Sequence, residues 1–506
     1  MISISLNGLS CKNNVCNLVI YLFILICSQS AMCGECPSLD DGVEFKYHNY
    51  SAMTTFLKQF TNCNSNLTSI YSIGKSVRKR ELWVVKVSAS PQDAKLVPNI
   101  KLLANIHGNE AAGREILLHF INFLVKSYWD GSPKVKYLLE NNVIHILPSL
   151  NPDGFENAKE GGCTGGAGRH NVKDMDLNRS FPDYFRRNPK PLQPETKAVT
   201  KWMSEVQFIL SASLHGGAMV ANYPFESTKE DLSFPVKQES KSPDDDVFQH
   251  LALTYSKTHP KMHLGEPCPS ALNTQFPNGI TNGAAWYPLT GGMQDYNYAM
   301  HGCMEVTLEV SCCKYPAASQ LKNIWEENRD ALMEYCLQSG LGVKGTVRDV
   351  DTSEPIRANL TVNQRNMTFT SSDKGEFFRI LLPGQYKLKI QADNYKTKTV
   401  PFKVEPVKVG EFPKMTILDI SLTPGNGSEV EDVPTTPKND FISTSYSQDT
   451  SAKQDSTTPE VIRLPEELMD HWNKREDVLI AKSGSDINHI SVLGLILMVA
   501  HSCTNA

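Results

Sequence analysis

The sequence predicts an α/β domain followed by a small all-β domain, and three observations carry that prediction. Two short, mostly apolar runs, 99–106 and 206–214, suit buried strands, and each is followed at once by a histidine. A stretch with apolar residues at helical spacing follows the first run. From about Leu341 helical spacing is lost, and short strand-like runs separated by turn signals take over.

The first run leads into His107-Gly108-Asn109-Glu110, and from Glu110 to Tyr128 the residues Ile116, Leu117, Phe120, Phe123 and Leu124 recur at helical spacing. His107 and Glu110 therefore sit on a strand-to-helix turn. In open α/β sheets, ligands bind beyond the carboxyl ends of the strands. The second run ends in Ser213-Leu214-His215-Gly216-Gly217, so both imidazoles can project from one sheet edge. Two imidazoles and one carboxylate leave a fourth position open on zinc, and an open position means chemistry, because structural zinc sites are closed by four protein ligands. His-x-x-Glu alone is a weak signal in a chain with 13 His.

Further motifs lie between and after these segments: Gly168-Arg169-His170-Asn171, Asp176-Leu177-Asn178-Arg179-Ser180-Phe181-Pro182-Asp183, Asn282 to Pro288, Gly291 to Tyr298, and Glu305 to Pro316. Their order resembles the zinc metallocarboxypeptidases, in the regulatory branch that includes carboxypeptidases N, E, D and M, over residues 41–424. The resemblance implies an α/β, mixed-sheet metallocarboxypeptidase catalytic domain at 38–340 and a small all-β transthyretin-like sandwich at 341–424.

It also implies one Zn2+ held by His107, Glu110 and His215. Such a metal activates water and polarises the scissile carbonyl, but a base must take the proton and deliver it to the leaving amine. Glu309 matches the family's catalytic Glu, with Glu305 as a decoy on the same run. Asn178 and Arg179 match the pair that recognises the substrate's free carboxylate, a task suited to the planar guanidinium. Tyr287 matches the Tyr that closes over the substrate tail, Arg169 the group that stabilises the oxyanion, and nearby Tyr298 is expected in the core.

For specificity, Glu226 stands eleven residues after His215, where the regulatory branch carries an Asp that meets a basic side chain. This chain departs from the branch by one methylene. Pancreatic-type enzymes place their pocket acid seven residues beyond the closing Tyr, and here that residue is the uncharged Gln294. The expected activity is removal of C-terminal Lys or Arg from peptides and proteins. A soluble secretory-granule enzyme that trims prohormones and an inactive binding relative stay open as alternatives.

Composition agrees with a secretory product. A chain of 506 residues allows roughly two to four domains. A formal charge of -5 with mixed signs gives no indication of nucleic-acid or polybasic membrane binding. Residues 1–30 read as a signal peptide, with Lys12, the apolar run Leu18 to Cys27 and Ser28-Gln29-Ser30. Without that segment and Cys503, nine cysteines remain: Cys33, Cys36, Cys63, Cys163, Cys268, Cys303, Cys312, Cys313 and Cys336. An oxidising compartment favours disulfides, and an odd number leaves at least one thiol free or paired outside the chain. Sequons at Asn49, Asn66, Asn359, Asn366 and Asn426 fit the same route. The one at Asn178 falls in the expected active site, so it should stay unmodified.

Gly345–Val350, Asn359–Val362, Glu376–Leu382, Tyr386–Ile390 and Met415–Leu422 are the expected strands of the second domain. Residues 425–485 turn polar and read as a disordered Ser/Thr/Pro-rich stalk, with a short helix at Leu464–Trp472. At 486–506 the apolar run Ile490 to Ala500, preceded by Ser483-Gly484-Ser485, suggests a glycosylphosphatidylinositol (GPI) anchor signal, hence attachment to the membrane through a lipid. Its spacer is short and its tail polar, so a cleaved or soluble form is the alternative. The run is too short for an ordinary spanning helix.

Overall fold

Strand parity decides where this chain puts its polar residues. The computed structural model describes residues 36, 38–40, 42–91, 94–229, 237–269, 274–425 and 430–431. The expected signal peptide, the stalk helix and the anchor signal lie outside the described residues.

Eight strands form the first sheet: β1 (Thr68–Lys75), β2 (Glu81–Val87), β3 (Asn99–Ala104), β4 (Val143–Leu147), β5 (Phe208–His215), β6 (Ala218–Tyr223), β7 (Ile280–Asn282) and β8 (Met304–Ser311). Their spatial order is β1-β2-β4-β3-β5-β8-β6-β7. Pairing is parallel from β4 through β3 and β5 to β8, and antiparallel at β1/β2, β2/β4 and β8/β6, so the sheet is mixed. Every residue of β5 and β8 is buried, as expected of parallel strands covered on both faces.

One face packs on α1 (Tyr50–Cys63), α2 (Ala112–Trp129), α3 (Pro133–Asn141), the later helix 245–258 and the last helix of the first domain, 321–337. It takes Ile100, Leu102 and Ala104 from β3, Leu210, Ala212 and Leu214 from β5, and Val306, Leu308 and Val310 from β8. Because successive side chains alternate, the opposite face receives Ser211, Ser213 and His215 from β5 and Glu305, Thr307 and Glu309 from β8. Beneath the far end of that polar stripe, Leu82, Val84, Leu103 and Phe208 pack against α5 (Pro194–Glu205), which follows the short α4 (Pro152–Phe155). Both histidine runs are strands, although the second begins at Phe208 rather than Val206. Helix α2 starts at Ala112, two residues later than its periodicity suggests, because Glu110 closes a turn on the His107 carbonyl.

The second domain is a sandwich. Strands β10 (Asn359–Val362), β11 (Thr368–Thr370), β13 (Gly384–Gln391), β14 (Lys398–Val404) and β16 (Val430–Glu431) form one sheet, and β9 (Val343–Asp349), β12 (Glu376–Arg379) and β15 (Thr416–Leu422) form the other. The run expected to extend to Leu382 stops at Arg379, because its partner β9 begins at Val343, the residue paired with Arg379. Strand β14 escapes sequence reading because Pro401 interrupts it; the outer side of β14 is paired only at Lys398 and Thr399, an edge where Pro is tolerated. That pairing is with Val430 and Glu431, so strand structure reaches into the segment expected to be stalk.

Disulfides Cys36–Cys63, Cys163–Cys313 and Cys268–Cys312 supply the connectivity that spacing left open. Cys303 and Cys336 are buried thiols, and Cys33 lies outside the described residues. Asn49, Asn66, Asn359 and Asn366 are exposed. No helix among the described residues is long and apolar enough to cross a membrane.

Candidate active site

The turn from β3 to α2 is built by Asn105, which adopts φ 62° and sends its side-chain amide to the carbonyls of His107, Gly108 and Glu110 at 3.0, 2.9 and 3.3 Å. Asn tolerates this left-handed conformation better than most residues. Gly108 is required by close approach: a Cβ there would lie 2.3 Å from the backbone of Gly154 and Phe155. The turn therefore holds His107 and Glu110 at one sheet edge, where β5 delivers His215.

Glu110 Oε2 lies 3.0 Å from His107 Nδ1 and 2.8 Å from His215 Nδ1, and the two imidazoles sit edge to face with centroids 5.0 Å apart. All three residues are buried, and their donor atoms fall within 4.8 Å of one another. Burial works against the charge on Glu110, but His107 and His215 outweigh it and hold the carboxyl well below the usual carboxylate range.

Two further groups brace this cluster, and sequence reading assigned neither a role. Asp176 Oδ1 meets His107 Nε2 at 3.1 Å, leaving Nδ1 to face Glu110, and its Oδ2 accepts from Arg169 Nη2 at 2.9 Å. Burial opposes the ionised form of Asp176, but the His107 hydrogen bond and the His107 and Arg169 charges prevail and hold it far below the usual range. Lys314 Nζ lies 2.6 Å from Glu110 Oε1, with Arg169 Nη1 3.2 Å from the same oxygen. Both residues stand inside motifs quoted above; what was missing was the fold that brings Asp176 and Lys314 to His107 and Glu110.

The cluster opens into a cleft of about 110 Å³ lined by His107, Glu110, Arg169, Asn178, His215, Asn222, Glu226, Trp286, Tyr287, Thr307, Glu309 and Lys314, with Gly216 and Gly217. Of these, Asn222, Trp286, Thr307 and Lys314 carried no expected role. Glu309 pairs in register with His215 across β5/β8 and is buried, its Oε2 without a hydrogen-bond partner among the described residues. Burial, reinforced by the Glu110 charge, pushes its carboxyl up to about 7. Glu305 lies on the same face at the other end of the strand, bonded to Lys101, Ser211 and Asn297, and it does not line the cleft.

Asn178 is buried, and its Oδ1 accepts from Met293 N at 2.9 Å, which leaves its sequon inaccessible. Arg179 is the one expected site residue that does not line the cleft. Its guanidinium turns onto the Asn178 carbonyl at 2.8 Å, and it acts on the cleft through its charge, felt at Glu226 and Tyr287. Tyr287 stands at the mouth, 40% exposed, its ring against Trp286. Tyr298 is fully buried.

Glu226 is no solvated loop carboxylate. It is 2% exposed, its Oε1 accepts from Asn222 Nδ2 at 3.2 Å, and its Oε2 has no hydrogen-bond partner among the described residues. Gly283 and Gly292 make room for it, since a Cβ at Gly292 would lie 2.2 Å from Oε2. Burial pushes this carboxyl up to about 7 despite the Arg179 charge. Gln294 faces elsewhere, with Oε1 accepting from Thr307 N at 2.7 Å.

Residues 53–331 match the zinc carboxypeptidase family. The chain is a member of that family. Residues 342–426 of this zinc carboxypeptidase match the carboxypeptidase regulatory-like domain, a range that covers sandwich strands β9 to β15. The chain is 45% identical to carboxypeptidase M of Mus musculus over 371 residues, covering 72% of this chain and 83% of that protein. It is 41% identical to the carboxypeptidase N catalytic chain of Rattus norvegicus over 389 residues, covering 72% and 84%. With carboxypeptidase D of Homo sapiens it shares 44% identity over 367 residues, 72% of this chain but only 26% of that longer protein. These similarities place this zinc carboxypeptidase in the regulatory branch. The donor set fits the metal, because two imidazoles and a carboxylate converge on one point and the His107 ring is oriented by a carboxylate behind it.

Proposed function

We propose that this zinc carboxypeptidase is a secreted or cell-surface exopeptidase that removes C-terminal Lys or Arg from peptides and proteins. The observation that carries the specificity is Glu226, a buried carboxylate in the cleft with one oxygen unpartnered among the described residues. A buried acceptor without a donor is costly, so a site that keeps one is matched to a ligand that donates, and a Lys ammonium or Arg guanidinium does so.

His107, Glu110 and His215 would hold the zinc, which supplies a Lewis acid that polarises a carbonyl and activates water. Glu309, poised near neutrality, takes a proton from the attacking water and returns it to the leaving amine. Arg169 lines the cleft with its guanidinium directed at the ligand cluster, a place from which it stabilises negative charge developing on the carbonyl oxygen. Asn178 and Arg179 receive the free carboxylate, for which Arg179 leaves the Asn178 carbonyl, and Tyr287 closes the exposed mouth. Disulfides and exposed sequons support passage through an oxidising, glycosylating compartment. Lipid attachment through 486–506 is the proposed means of retention at the surface.

The test is the purified ectodomain on peptides differing only in the last residue. A kcat/KM for Arg and Lys ends far above that for Leu or Phe ends is the expected result, and equal rates would sink the specificity.

A further inference from the structure

The β-sandwich is tied to the specificity wall of the cleft by a buried relay. Asp244 caps α6 (Asp245–Thr258), is fully buried, and accepts from three donors. Tyr298 Oη of α8 (Met293–His301, counting Gly283–Trp286 as α7) lies at 2.6 Å. The other two donors come from the sandwich: Arg365 Nη1 at 3.0 Å and Arg379 Nη2. Arg379 also donates from Nη1 to the carbonyl of Gly302, the residue that ends α8, at 3.2 Å. The sandwich thus grips α8 at its end directly and at its middle through Asp244.

The same helix builds the wall. Asp295 accepts the backbone N–H of Glu226 at 2.9 and 3.0 Å and that of Ser227 at 2.7 Å. The Tyr298 ring packs against Phe225, the residue before Glu226, with centroids 5.5 Å apart. A shift of α8 therefore moves Glu226 by its own backbone.

We propose that Tyr298 is a positioning residue for Glu226, and that through Asp244 the β-sandwich sets the register of the basic-side-chain pocket. Misplacement by about an ångström is enough to cost orders of magnitude in rate, so the relay has leverage on specificity. The inference rests on the reading of Glu226 as the substrate's counter-ion.

Removing Asp244 would strand the buried Arg379 guanidinium, although Arg365 keeps Asp246, and would destabilise the junction, so the test uses milder changes. Tyr298→Phe keeps the ring on Phe225 and deletes only the hydroxyl. Arg379→Lys keeps a cation for Asp244 and gives up the arm to Gly302. Tyr137→Phe is the control: Tyr137 of α3 bonds the Pro413 carbonyl of the second domain, away from the relay. Each is assayed as zinc-replete ectodomain for Tm, zinc content, and kcat and KM on peptides ending in Arg, Lys and Leu. For Tyr298→Phe and Arg379→Lys, KM for basic ends should rise roughly tenfold, with kcat and the Leu-ended rate unchanged within about twofold. Tyr137→Phe should lower Tm without changing the ratio of basic to Leu rates. An unchanged ratio in both relay variants, or the same change in the control, overturns the proposal. If one relay variant does not fold, the other decides. A wild-type enzyme without preference for basic ends overturns the Glu226 reading and this inference together; a wild-type preference that survives the relay variants overturns the inference alone.

Discussion

His215 and Glu309 are register partners on the adjacent parallel strands β5 and β8, both on the polar face, one in the metal cluster and the other in the cleft beside it. Neighbouring strands lie about 4.8 Å apart, so the proposed proton transfer and metal binding would rest on two adjacent strands of one sheet. The pairing explains why the two roles should separate on mutation.

His107→Ala and His215→Ala should each lose stoichiometric zinc and activity. Glu309→Gln should keep zinc and lose turnover by roughly 10²- to 10⁴-fold. Metal analysis and kcat on one Arg-ended peptide check both; full turnover in the Glu309 variant or in fully chelated enzyme would falsify the mechanism.

Asp176 orients His107 from behind, so Asp176→Asn should weaken zinc affinity by about 10- to 100-fold while leaving the fold intact. Competition with a chelator of known affinity measures this. Wild-type affinity in the variant would reduce Asp176 to a partner of Arg169.

Glu226→Gln removes the charge opposite a buried substrate cation and should cost on the order of 2–4 kcal/mol, roughly 30- to 1000-fold in kcat/KM, on Arg and Lys ends. Rates on Leu ends should hold or rise. Because Glu reaches one methylene further than Asp, Lys should be served at least as well as Arg unless bidentate Arg geometry dominates.

The pH profile should depend on the substrate. Burial raises the Glu309 and Glu226 carboxyls to about 7, and in the proposed roles each acts only when ionised. Activity should therefore grow as pH rises through that range and fall below it. On Leu ends, log kcat/KM should fall with a slope of about one, from Glu309 alone; on Arg or Lys ends the slope should approach about two. Glu226→Gln should return the basic-ended profile to a single slope, and identical profiles on both substrates would contradict the assignment.

Surface attachment is tested on intact cells. Treatment with a phosphatidylinositol-specific phospholipase should release the enzyme, and truncation before Ile490 should send it to the medium. Retention after both points to another mode of attachment.

The metal cluster was legible because its parts are local. His107 and Glu110 share one strand-to-helix turn, and a β-run ending at His215 needs only the same sheet to meet them. Glu309 was legible from its motif, and its distinction from Glu305 became physical once position along β8 set one at the cleft and the other beside Lys101. The short strands of the sandwich were readable wherever turn signals bounded them, and lost where Pro401 broke the pattern.

The sequence by itself pointed to the candidate metal-ligand set, the proposed proton-transfer carboxylate, the α/β-then-β order and the family, because each is written in short segments whose chemistry does not depend on distant neighbours. The tertiary structure alone decided which cysteines pair, that Asp176 and Lys314 reach the metal cluster from 69 and 204 residues away, and that Arg179 rests on the Asn178 carbonyl. It also decided that Glu226 is buried with one oxygen unpartnered among the described residues, and that Asp244 joins Tyr298 to two arginines of the sandwich. Those are properties of side chains made adjacent by packing, and their burial and charge are set by neighbours that no local pattern specifies.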